Sequence, residues 1–383
     1  MKLGVLRESV PGERRVAIVP ESVKRLVGKS FTVVVEAGAG EASGASDNDY
    51  IQAGATIADR AGVIAVSDLV FAVLPPTTEA IRTLKEGIAY VSLLYPMVNT
   101  DPVRALAARK VTAIAADMIP RTTLAQMMDV LSSQATIVGY RAALLAAHAL
   151  PKMFPMLMTA AGTLAPARVL VLGAGVAGLQ AIATSKRIGA VVEAFDVRKV
   201  VKEQVESLGA KFIEVPSDED AQTVAGYARE LSDDYKKKQA DLITKHLRTA
   251  DACICTALIP GRRAPILVTA EMVRNMRPGS VLVDIAAEQG GNCELTKPGE
   301  RVVENGVTIV GDTHLASQVA VHASLMYSRN MEKFVAHLTK DAALRLEADD
   351  EIIRGVVITK GGAIVHKAVA DAMAEATAGR ANP

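Results

Sequence analysis

The sequence contains no tryptophan, and aromatic residues of all types make up only 3% of its 383 residues. Proteins that bind single-stranded nucleic acid stack the bases on aromatic side chains, and this chain offers few of them. The sequence also lacks an excess of charge of either sign, because 43 lysines and arginines face 42 aspartates and glutamates. The electrostatic attraction that nucleic-acid binding requires is therefore missing, and we expect no nucleic acid among the partners.

Cysteine is scarce as well, with Cys253, Cys255 and Cys293 the three in the chain. Three cysteines cannot build a disulfide framework, and the spacing of the first two is narrower than the C-x-x-C pairs of zinc sites. We interpret them as small buried side chains in a reducing cytosol, and we expect no metal site. The sequence has no run of about 20 mostly apolar residues that would predict a membrane span. No signal peptide is expected either, so we predict a cytoplasmic protein.

Half of the residues are hydrophobic, which is enough to bury a large core, and the length predicts two or three domains. Two series of short β-branched runs alternate with helical patterns along the chain. The predicted strands cover residues 3–6, 31–35, 69–74, 89–94 and 111–115, and then 169–172, 191–195, 211–215, 251–256, 280–285 and 308–310. Strands separated by helices predict right-handed βαβ units and mostly parallel sheets.

A longer helical pattern connects the two series. From Asp129 onward, apolar residues recur at every seventh position, which predicts one continuous helix that ends at Pro151. Another helical pattern covers residues 322–338, and we expect this C-terminal segment to return to the first series.

We therefore predict an α/β fold of two Rossmann-like domains with parallel sheets, joined by long helices. The first domain is discontinuous and comprises residues 1–130 and 320–383. The second domain comprises residues 131–319, and it carries the strongest motif of the chain.

That motif reads GAGVAG and runs from Gly173 to Gly178, directly after an apolar strand pattern. In such a motif the first glycine permits a tight turn, Gly175 lets the backbone approach a pyrophosphate, and the third allows close packing of helix on strand. The free N–H groups and the positive end of the following helix then hold the phosphates. The strand, the helix and the glycine spacing together predict a dinucleotide-binding site.

An acidic residue follows the motif at the expected distance. Asp196 ends the next strand pattern, roughly 20 residues on, where an acid accepts hydrogen bonds from the adenosine ribose hydroxyls. A carboxylate there repels a 2′-phosphate, so we predict a preference for NAD(H) over NADP(H). Arg198 is a contrary indication, because an arginine near this position can accommodate a 2′-phosphate.

A second polar cluster, PRTTLAQMMDVLSSQ, occupies residues 120–134, between the first series and the long helix. Asp129 and Ser132 are three residues apart, so a helix places them on one face near its N-terminus. Two interpretations stay open at this point. The cluster is either a binding surface or a helix start, with Asp129 as the N-cap and Arg121 as its ion-pair partner.

Taken together, these segments resemble the alanine dehydrogenase/pyridine nucleotide transhydrogenase superfamily over essentially the whole chain. PGERRVAIVP, at residues 11–20, is similar to the N-terminal signature, and GAGVAG with Asp196 is similar to the second signature. Within the superfamily, four further segments are most similar to the NAD(H)-binding domain I of proton-translocating transhydrogenases. They are PRTTLAQMMDVLSSQATIVGYRA, KEQVESLGAKF, TALIPGRRAP and GGNCE.

The resemblance leaves two enzyme activities to be separated. Alanine dehydrogenases aminate pyruvate, and they need a cation for its carboxylate and a histidine for the carbonyl proton. In our alignment Ala72 stands at the position of that lysine and Leu93 at that of the histidine. Transhydrogenation needs neither group, because the hydride passes directly between two nicotinamide rings. The resemblance thus implies hydride transfer from NADH to NADP+, with an alanine dehydrogenase-like enzyme and a non-catalytic NAD sensor as alternatives.

The resemblance also implies partners. It implies that NADP(H) is bound by a separate beta subunit and that a further membrane subunit translocates the protons. The chain itself is then a homodimer that attaches to the cytoplasmic side of the inner membrane only through these partners.

The resemblance finally assigns roles to individual residues. Gln126 is expected to reach the second nucleotide, Arg121 to orient its loop, and Asp129 with Ser132 to hold the nicotinamide carboxamide. The implied cofactor-binding residues are Arg121, Thr122, Thr123, Gln126, Met127, Met128, Asp129, Ser132, Gly173, Ala174, Gly175, Val176, Gly178, Asp196, Val197, Arg198, Gly226, Tyr227, Gln239 and Leu258.

Two segments carry further expectations. Gly226 and Tyr227 match the tip of a mobile loop that closes over NAD(H), within the charged stretch at residues 216–241. The chain departs from the family pattern at residues 313–318, where THLASQ replaces a common Asn-Pro pair.

Overall fold

The computed structural model describes residues 1–216, 232–259, 263–341, 343–346 and 349–380. The strands are β1 (Lys2–Val5), β2 (Thr32–Glu36), β3 (Thr56–Ala58), β4 (Leu69–Phe71), β5 (Ala89–Ser92), β6 (Thr112–Ala115), β7 (Leu157–Thr159), β8 (Gly162–Leu164), β9 (Arg168–Leu172), β10 (Val191–Phe195), β11 (Lys211–Ile213), β12 (Ala252–Cys255), β13 (Val281–Asp284), β14 (Arg301–Glu304), β15 (Val307–Val310), β16 (Thr339–Lys340), β17 (Ala343–Leu344), β18 (Thr359–Lys360) and β19 (Ala363–Ile364). The α-helices are α1 (Pro20–Val27), α2 (Asp47–Gln52), α3 (Arg60–Val66), α4 (Thr78–Thr83), α5 (Thr100–Ala108), α6 (Val130–Ala149), α7 (Val176–Arg187), α8 (Lys202–Ser207), α9 (Asp233–Leu247), α10 (Ala270–Arg274), α11 (Ala320–Leu338), α12 (Glu351–Val356) and α13 (Lys367–Arg380). Within these ranges, no helix is both long and apolar enough to cross a membrane.

The first compact unit comprises Met1–Gln134 and Ser317–Pro383. Its six-stranded sheet is parallel and has the order β3-β2-β1-β4-β5-β6. The order reverses between β1 and β4, which is the topological switch point of a Rossmann fold. Helix α11 belongs to this unit, and its Tyr327 and Phe334 side chains are fully buried in the core.

The second unit comprises Ala135–Ala316, and its seven strands have the order β11-β10-β9-β12-β13-β15-β14. All neighbours pair in parallel except β14, which runs antiparallel to β15 at the edge. The switch point lies between β9 and β12, and both strands are buried along most of their length. Continuous apolar strands are typical of parallel sheets with both faces covered, and the predicted α/β class with two Rossmann-like sheets is confirmed.

Two edge strands, β3 and β14, were not predicted from the sequence. Each is half-exposed and mixes polar with apolar residues, so neither forms the continuous apolar run that indicates a buried strand. The three cysteines are buried in the second unit, as expected.

Among the predicted strands that extend too far are those at residues 69–74 and 89–94, because carboxylates accept the N–H groups near their ends. β4 ends at Phe71; the N–H of Ala72 still donates to the carbonyl of Val91, and the carboxylate of Glu8 accepts the N–H groups of Val73 and Leu74. β5 ends at Ser92, and the carboxylate of Asp117 accepts hydrogen bonds from the two N–H groups at residues 94 and 95.

Candidate functional site

The glycine motif forms a tight turn between β9 and α7 in the second unit. Gly173 has a φ of 98°, and a Cβ atom there would lie 2.7 Å from Oγ1 of Thr256. A Cβ atom on Gly178 would lie 1.9 Å from the carbonyl oxygen of Gly173. Both positions therefore require glycine. Gly173 requires it because of its positive φ and the nearby Thr256 side chain, and Gly178 requires it because the helix and the turn approach closely.

The middle glycine differs, because it faces open space. A Cβ atom on Gly175 would meet only Nη2 of Arg198, at 3.9 Å. The following residues begin α7, and the first N–H groups of a helix have no acceptor within it. Val176, at this N-terminus, is 40% exposed. An open turn at a helix N-terminus fits the diphosphate of a dinucleotide.

Asp196 directly follows β10, and its side chain lies against this turn. The residue is only 8% exposed, and its Oδ2 accepts a hydrogen bond from the N–H of Ala174 at 2.7 Å. The guanidinium of Arg198 forms a two-pronged ion pair with the carboxylate, from Nε to Oδ1 at 2.9 Å and from Nη2 to Oδ2 at 2.8 Å. Asp196 and Arg198, which give opposing indications of cofactor preference in the sequence, thus form one ion pair.

Buried polar residues support the turn from behind. Thr256 donates its hydroxyl hydrogen to the carbonyl of Gly173 at 2.9 Å. The side chain of Asn292 accepts from the N–H of Ala257 and donates to the carbonyl of the same residue. The carboxylate of Asp284 accepts from the N–H of Asn292 at 2.7 Å. Sequence reasoning missed these residues, although Asp284 lies near the carboxyl end of the strand predicted at residues 280–285, where site residues gather.

The remaining predicted cofactor-binding residues of the second unit are Leu258, Val197, Gln239, Gly226 and Tyr227. Leu258 follows β12, whose carboxyl end lies beside that of β9, and it is 38% exposed. Val197 is half-buried next to Asp196. Gln239 lies half-buried on α9, and no hydrogen bond links it to the turn among the described residues. Gly226 and Tyr227 lie outside the described residues.

The second polar cluster lies in the first unit, where it leads into α6. The carboxylate of Asp129 accepts hydrogen bonds from the N–H of Ser132 at 2.9 Å and from its hydroxyl at 2.6 Å. This is the geometry of a helix N-cap, so the structure contains the helix start that was one of the two interpretations. The role of both residues toward a nicotinamide stays a prediction.

The residues before Asp129, from Arg121 to Met128, form an exposed loop that we call the 121–128 loop. Leu124 is 70% exposed and Met127 is 60% exposed, and the side chains of Arg121, Thr123 and Gln126 are exposed as well. Ala125 and Met128 point inward and are buried, and Thr122 accepts the N–H of Ala125. The side chain of Asn330 on α11 donates to the carbonyl of Met127 at 2.9 Å. The loop therefore has a packed inner side and an apolar outer side.

The N-terminal signature has a structural role in the first unit. Arg15 is buried, donates from Nε and Nη2 to the carboxylate of Glu13, and donates from Nη1 to Oε1 of Gln134 at 2.9 Å. The hydroxyl of Ser317 donates to the same glutamate. A cavity of about 370 Å³ opens beside these residues, at the carboxyl ends of β1 and β2, and Glu8 lines it. Burial raises the pKa of Glu8 to about 7.

The two positions that distinguish alanine dehydrogenases in our alignment are apolar and buried. Ala72 is 4% exposed and Leu93 is 2% exposed, and both pack in the core of the first unit. Neither side chain can hold a carboxylate or transfer a proton.

The comparisons with known proteins all point to the same family. The model described as "Alanine dehydrogenase/PNT, N-terminal domain" matches residues 4–138, and the corresponding C-terminal domain matches residues 142–367. The chain is 48% identical to the first part of the NAD(P) transhydrogenase subunit alpha of Rhodospirillum rubrum, covering 96% of this chain and 99% of that protein. It is 30% identical to the alanine dehydrogenase of Halomonas elongata, over 97% and 96% of the two chains. A solved transhydrogenase from Sinorhizobium meliloti is 42% identical, with a TM-score of 0.85 and coverage of 96% and 100%.

Proposed function

Because the chain belongs to the alanine dehydrogenase/PNT family, on the side of its NAD(P) transhydrogenase alpha subunits, we propose that it binds NAD(H) and exchanges a hydride with NADP(H) on a partner subunit. The partner is the NADP(H)-binding beta subunit, and a membrane subunit couples the reaction to proton translocation. In this proposal the chain attaches to the cytoplasmic side of the inner membrane through these subunits alone.

NAD(H) binding is supported by the corner around the glycine turn. The open space at Gly175 and the N-terminus of α7 suit the diphosphate, and the carboxylate of Asp196 suits the adenosine ribose. The same carboxylate disfavours a 2′-phosphate, which agrees with NADP(H) being bound elsewhere.

Hydride transfer is supported by the 121–128 loop, and this observation carries the proposal. NADH, when bound, would supply the hydride and a second nicotinamide would accept it, a step that requires no proton from the side chains of this chain. The chain must hold one ring, leave its face accessible and let the partner exclude water. Exposed Leu124 and Met127 would give that partner an apolar surface, and in this proposal Gln126, exposed between them, reaches the second nucleotide.

Amino-acid dehydrogenation is the alternative within the family. It requires a cation and an acid–base group next to the ring, and the buried Ala72 and Leu93 provide neither. Purified protein that oxidises NADH with pyruvate and ammonium, without any partner, would overturn the transhydrogenase proposal.

The Gln126→Asn variant tests the proposed transfer step. Hydride transfer from NADH to an optically distinct nicotinamide analogue is measured by stopped flow in the presence of the NADP(H)-binding subunit. We expect transfer to slow about tenfold or more while the affinity for NADH stays within twofold, because a shortened side chain no longer spans to the partner. Gln204→Asn, the same substitution at an exposed position on α8, should leave both quantities unchanged. A large loss of NADH affinity in Gln126→Asn would contradict the role of Gln126.

A homodimer is part of the proposal. The β7–β8 hairpin is exposed on both strands, and Met156, Met158 and Leu164 are 58%, 74% and 51% exposed. An isolated two-stranded hairpin is marginally stable in water, so a covering surface on a second copy would stabilise it. Light scattering should then give twice the chain mass of 40.3 kDa, and a monomer at micromolar concentration would contradict this part of the proposal.

A further inference from the structure

The carboxylate of Asp196 already holds as many hydrogen bonds as it can accept. Its Oδ1 accepts from the backbone N–H of Arg198 and from Nε of the same residue, both at 2.9 Å. Its Oδ2 accepts from the N–H of Ala174 at 2.7 Å and from Nη2 of Arg198 at 2.8 Å. A carboxylate has about four lone-pair positions, so these four donors use all of them. The ribose hydroxyls of NAD(H) therefore have no acceptor position while the guanidinium stays in place.

We propose that the guanidinium of Arg198 and the adenosine ribose of NAD(H) compete for the same two oxygens of Asp196. Arg198 then acts as a specificity-determining residue: it must leave the carboxylate for NAD(H) to bind, and it favours NADP(H) once the carboxylate is removed. This inference rests on the proposed function, because it concerns the same nucleotide site.

The exchange of donors is balanced at the carboxylate. Two backbone N–H groups, from Ala174 and Arg198, stay on Asp196 and keep it in position. Each oxygen loses one guanidinium N–H and gains one ribose O–H. The carboxylate is thus fully hydrogen-bonded before and after binding, so the ribose contact adds little net affinity.

The displaced guanidinium has a place to go. The Arg198 side chain is 19% exposed, and its Nη2 lies 3.9 Å from the Cβ position of Gly175 in the phosphate turn. Phosphate oxygens are the preferred partners of an arginine fork. On leaving Asp196, Arg198 can therefore turn toward the diphosphate, or toward a 2′-phosphate if the nucleotide carries one.

Binding of ADP and 2′-deoxy-ADP, measured by isothermal titration calorimetry, tests the competition. For the wild-type protein we expect ADP to bind no more than about threefold more tightly than 2′-deoxy-ADP. In Arg198→Met the hydroxyls meet carboxylate oxygens that have lost their guanidinium donors, and we expect the preference to widen at least fivefold. An unchanged or smaller preference would overturn the inference. Thermal unfolding of each variant verifies that it is folded.

A matched variant separates this competition from a general loss of positive charge. Lys202→Met removes a cation at the start of α8, shortly after Arg198 in the chain, and Lys202 pairs with Glu214 rather than with Asp196. We expect this variant to bind ADP and 2′-deoxy-ADP equally more weakly, so that the ratio of the two affinities stays unchanged. If Lys202→Met widens the ratio as much as Arg198→Met does, the effect is electrostatic and the inference fails.

A second pair of variants tests the choice of cofactor. We expect Asp196→Asn to bind NADH no more than about threefold more weakly, because the ribose contact adds little net affinity, and NADPH about tenfold more tightly than the wild type. Adding Arg198→Met to Asp196→Asn should abolish the gain for NADPH. A double variant that retains the gain would show that Arg198 is not the selecting residue. A wild-type protein that binds neither ADP nor NADH would instead overturn the proposed function and this inference with it.

Discussion

The two groups of candidate site residues are built in opposite ways. At the corner around Gly173 and Asp196, the backbone is tightly packed and the buried carboxylate is saturated with hydrogen bonds. In the 121–128 loop, the largest side chains point into solvent, and Leu124 is 70% exposed. A side-chain hydrogen bond from Asn330 connects the outer part of this loop to α11.

This difference corresponds to two kinds of recognition. A corner whose shape is fixed by the backbone is complete within one chain and suits a ligand that the chain binds by itself. A loop with an apolar outer side buries that side only when the surface of another molecule covers it. Under the proposed function, changes at the corner should reduce nucleotide affinity, and changes at the loop should reduce hydride transfer.

The largest effect is expected for Gly178→Ala at the corner. The added Cβ atom would lie 1.9 Å from the carbonyl oxygen of Gly173, so the turn or the helix must move. Overpacking of this kind costs about 1–3 kcal/mol, and we expect NADH affinity to fall about 100-fold together with a lower melting temperature. Fluorescence titration and thermal unfolding provide the two measurements.

Gly175→Ala separates the packing of the turn from the approach of the ligand. Its φ of −74° suits any residue, and its Cβ atom would meet only the end of the Arg198 side chain. We expect weaker NADH binding with an unchanged melting temperature. Equal loss of stability in both variants would contradict the distinction between a packed and an open glycine.

A smaller effect is expected at the loop, for Asn330→Ala. Asn330 is 8% exposed, donates to the carbonyl of Met127, and has no partner for its Oδ1 among the described residues. Without this bond the turn that carries Gln126 is less well fixed, and we expect transfer to slow about tenfold at nearly unchanged NADH affinity. Stopped-flow transfer and NADH titration separate the two quantities.

Asn330→Asp gives a pH-dependent version of the same test. A protonated aspartic acid can donate to the carbonyl of Met127, whereas a buried carboxylate next to that oxygen repels it. Transfer in this variant should therefore recover as the pH falls from about 8 to about 5.5, relative to the wild type. Ser328→Ala removes another hydrogen bond of α11, to the N–H of Val19, and should not change transfer. An equal slowing in Ser328→Ala would mean that transfer responds to the loss of any hydrogen bond of α11 and not specifically to the bond at Met127.

The sequence predicts the tightly packed features of the fold better than the exposed ones. The buried parallel strands were predictable because their apolar runs are continuous, and the glycine turn was predictable because conformation and close approach leave no choice of residue. The edge strands β3 and β14 were missed, since half-exposed strands carry no such pattern.

Tertiary polar contacts could not be predicted in the same way. The sequence presents Asp196 and Arg198 as opposing indications, and only the structure brings them together as one ion pair. Asn330 is some 200 positions away from the loop that it anchors, so no local pattern links it to Met127. Glu8 and Asp117 likewise end strands that the apolar pattern alone extends further.

The smallest effect is expected away from both regions, at Glu8 in the first unit. Burial raises the pKa of Glu8 from 4.5 to about 7, although its carboxylate accepts the N–H groups of Val73 and Leu74. A carboxyl group whose pKa is higher in the folded protein binds its proton more tightly there, so the folded state loses stability as the pH rises from about 4.5 through about 7. Burial likewise raises the pKa of Asp117 to about 6, which adds to this loss between about 4 and 6.

Glu8→Gln keeps an oxygen acceptor for Val73 and removes the buried charge. Relative to the wild type, we expect it to gain on the order of 1 kcal/mol in unfolding free energy between about pH 5 and about pH 8.5, because the buried carboxylate of the wild type loses stability over that range. Denaturant unfolding at the two pH values measures this gain. Glu86→Gln, at a carboxylate whose side chain is 59% exposed, should show almost none. Since Glu8 belongs to neither the corner nor the loop, NADH affinity and transfer should stay unchanged; a loss of either would place the cavity beside Glu8 within the working site and end the simple division into two regions.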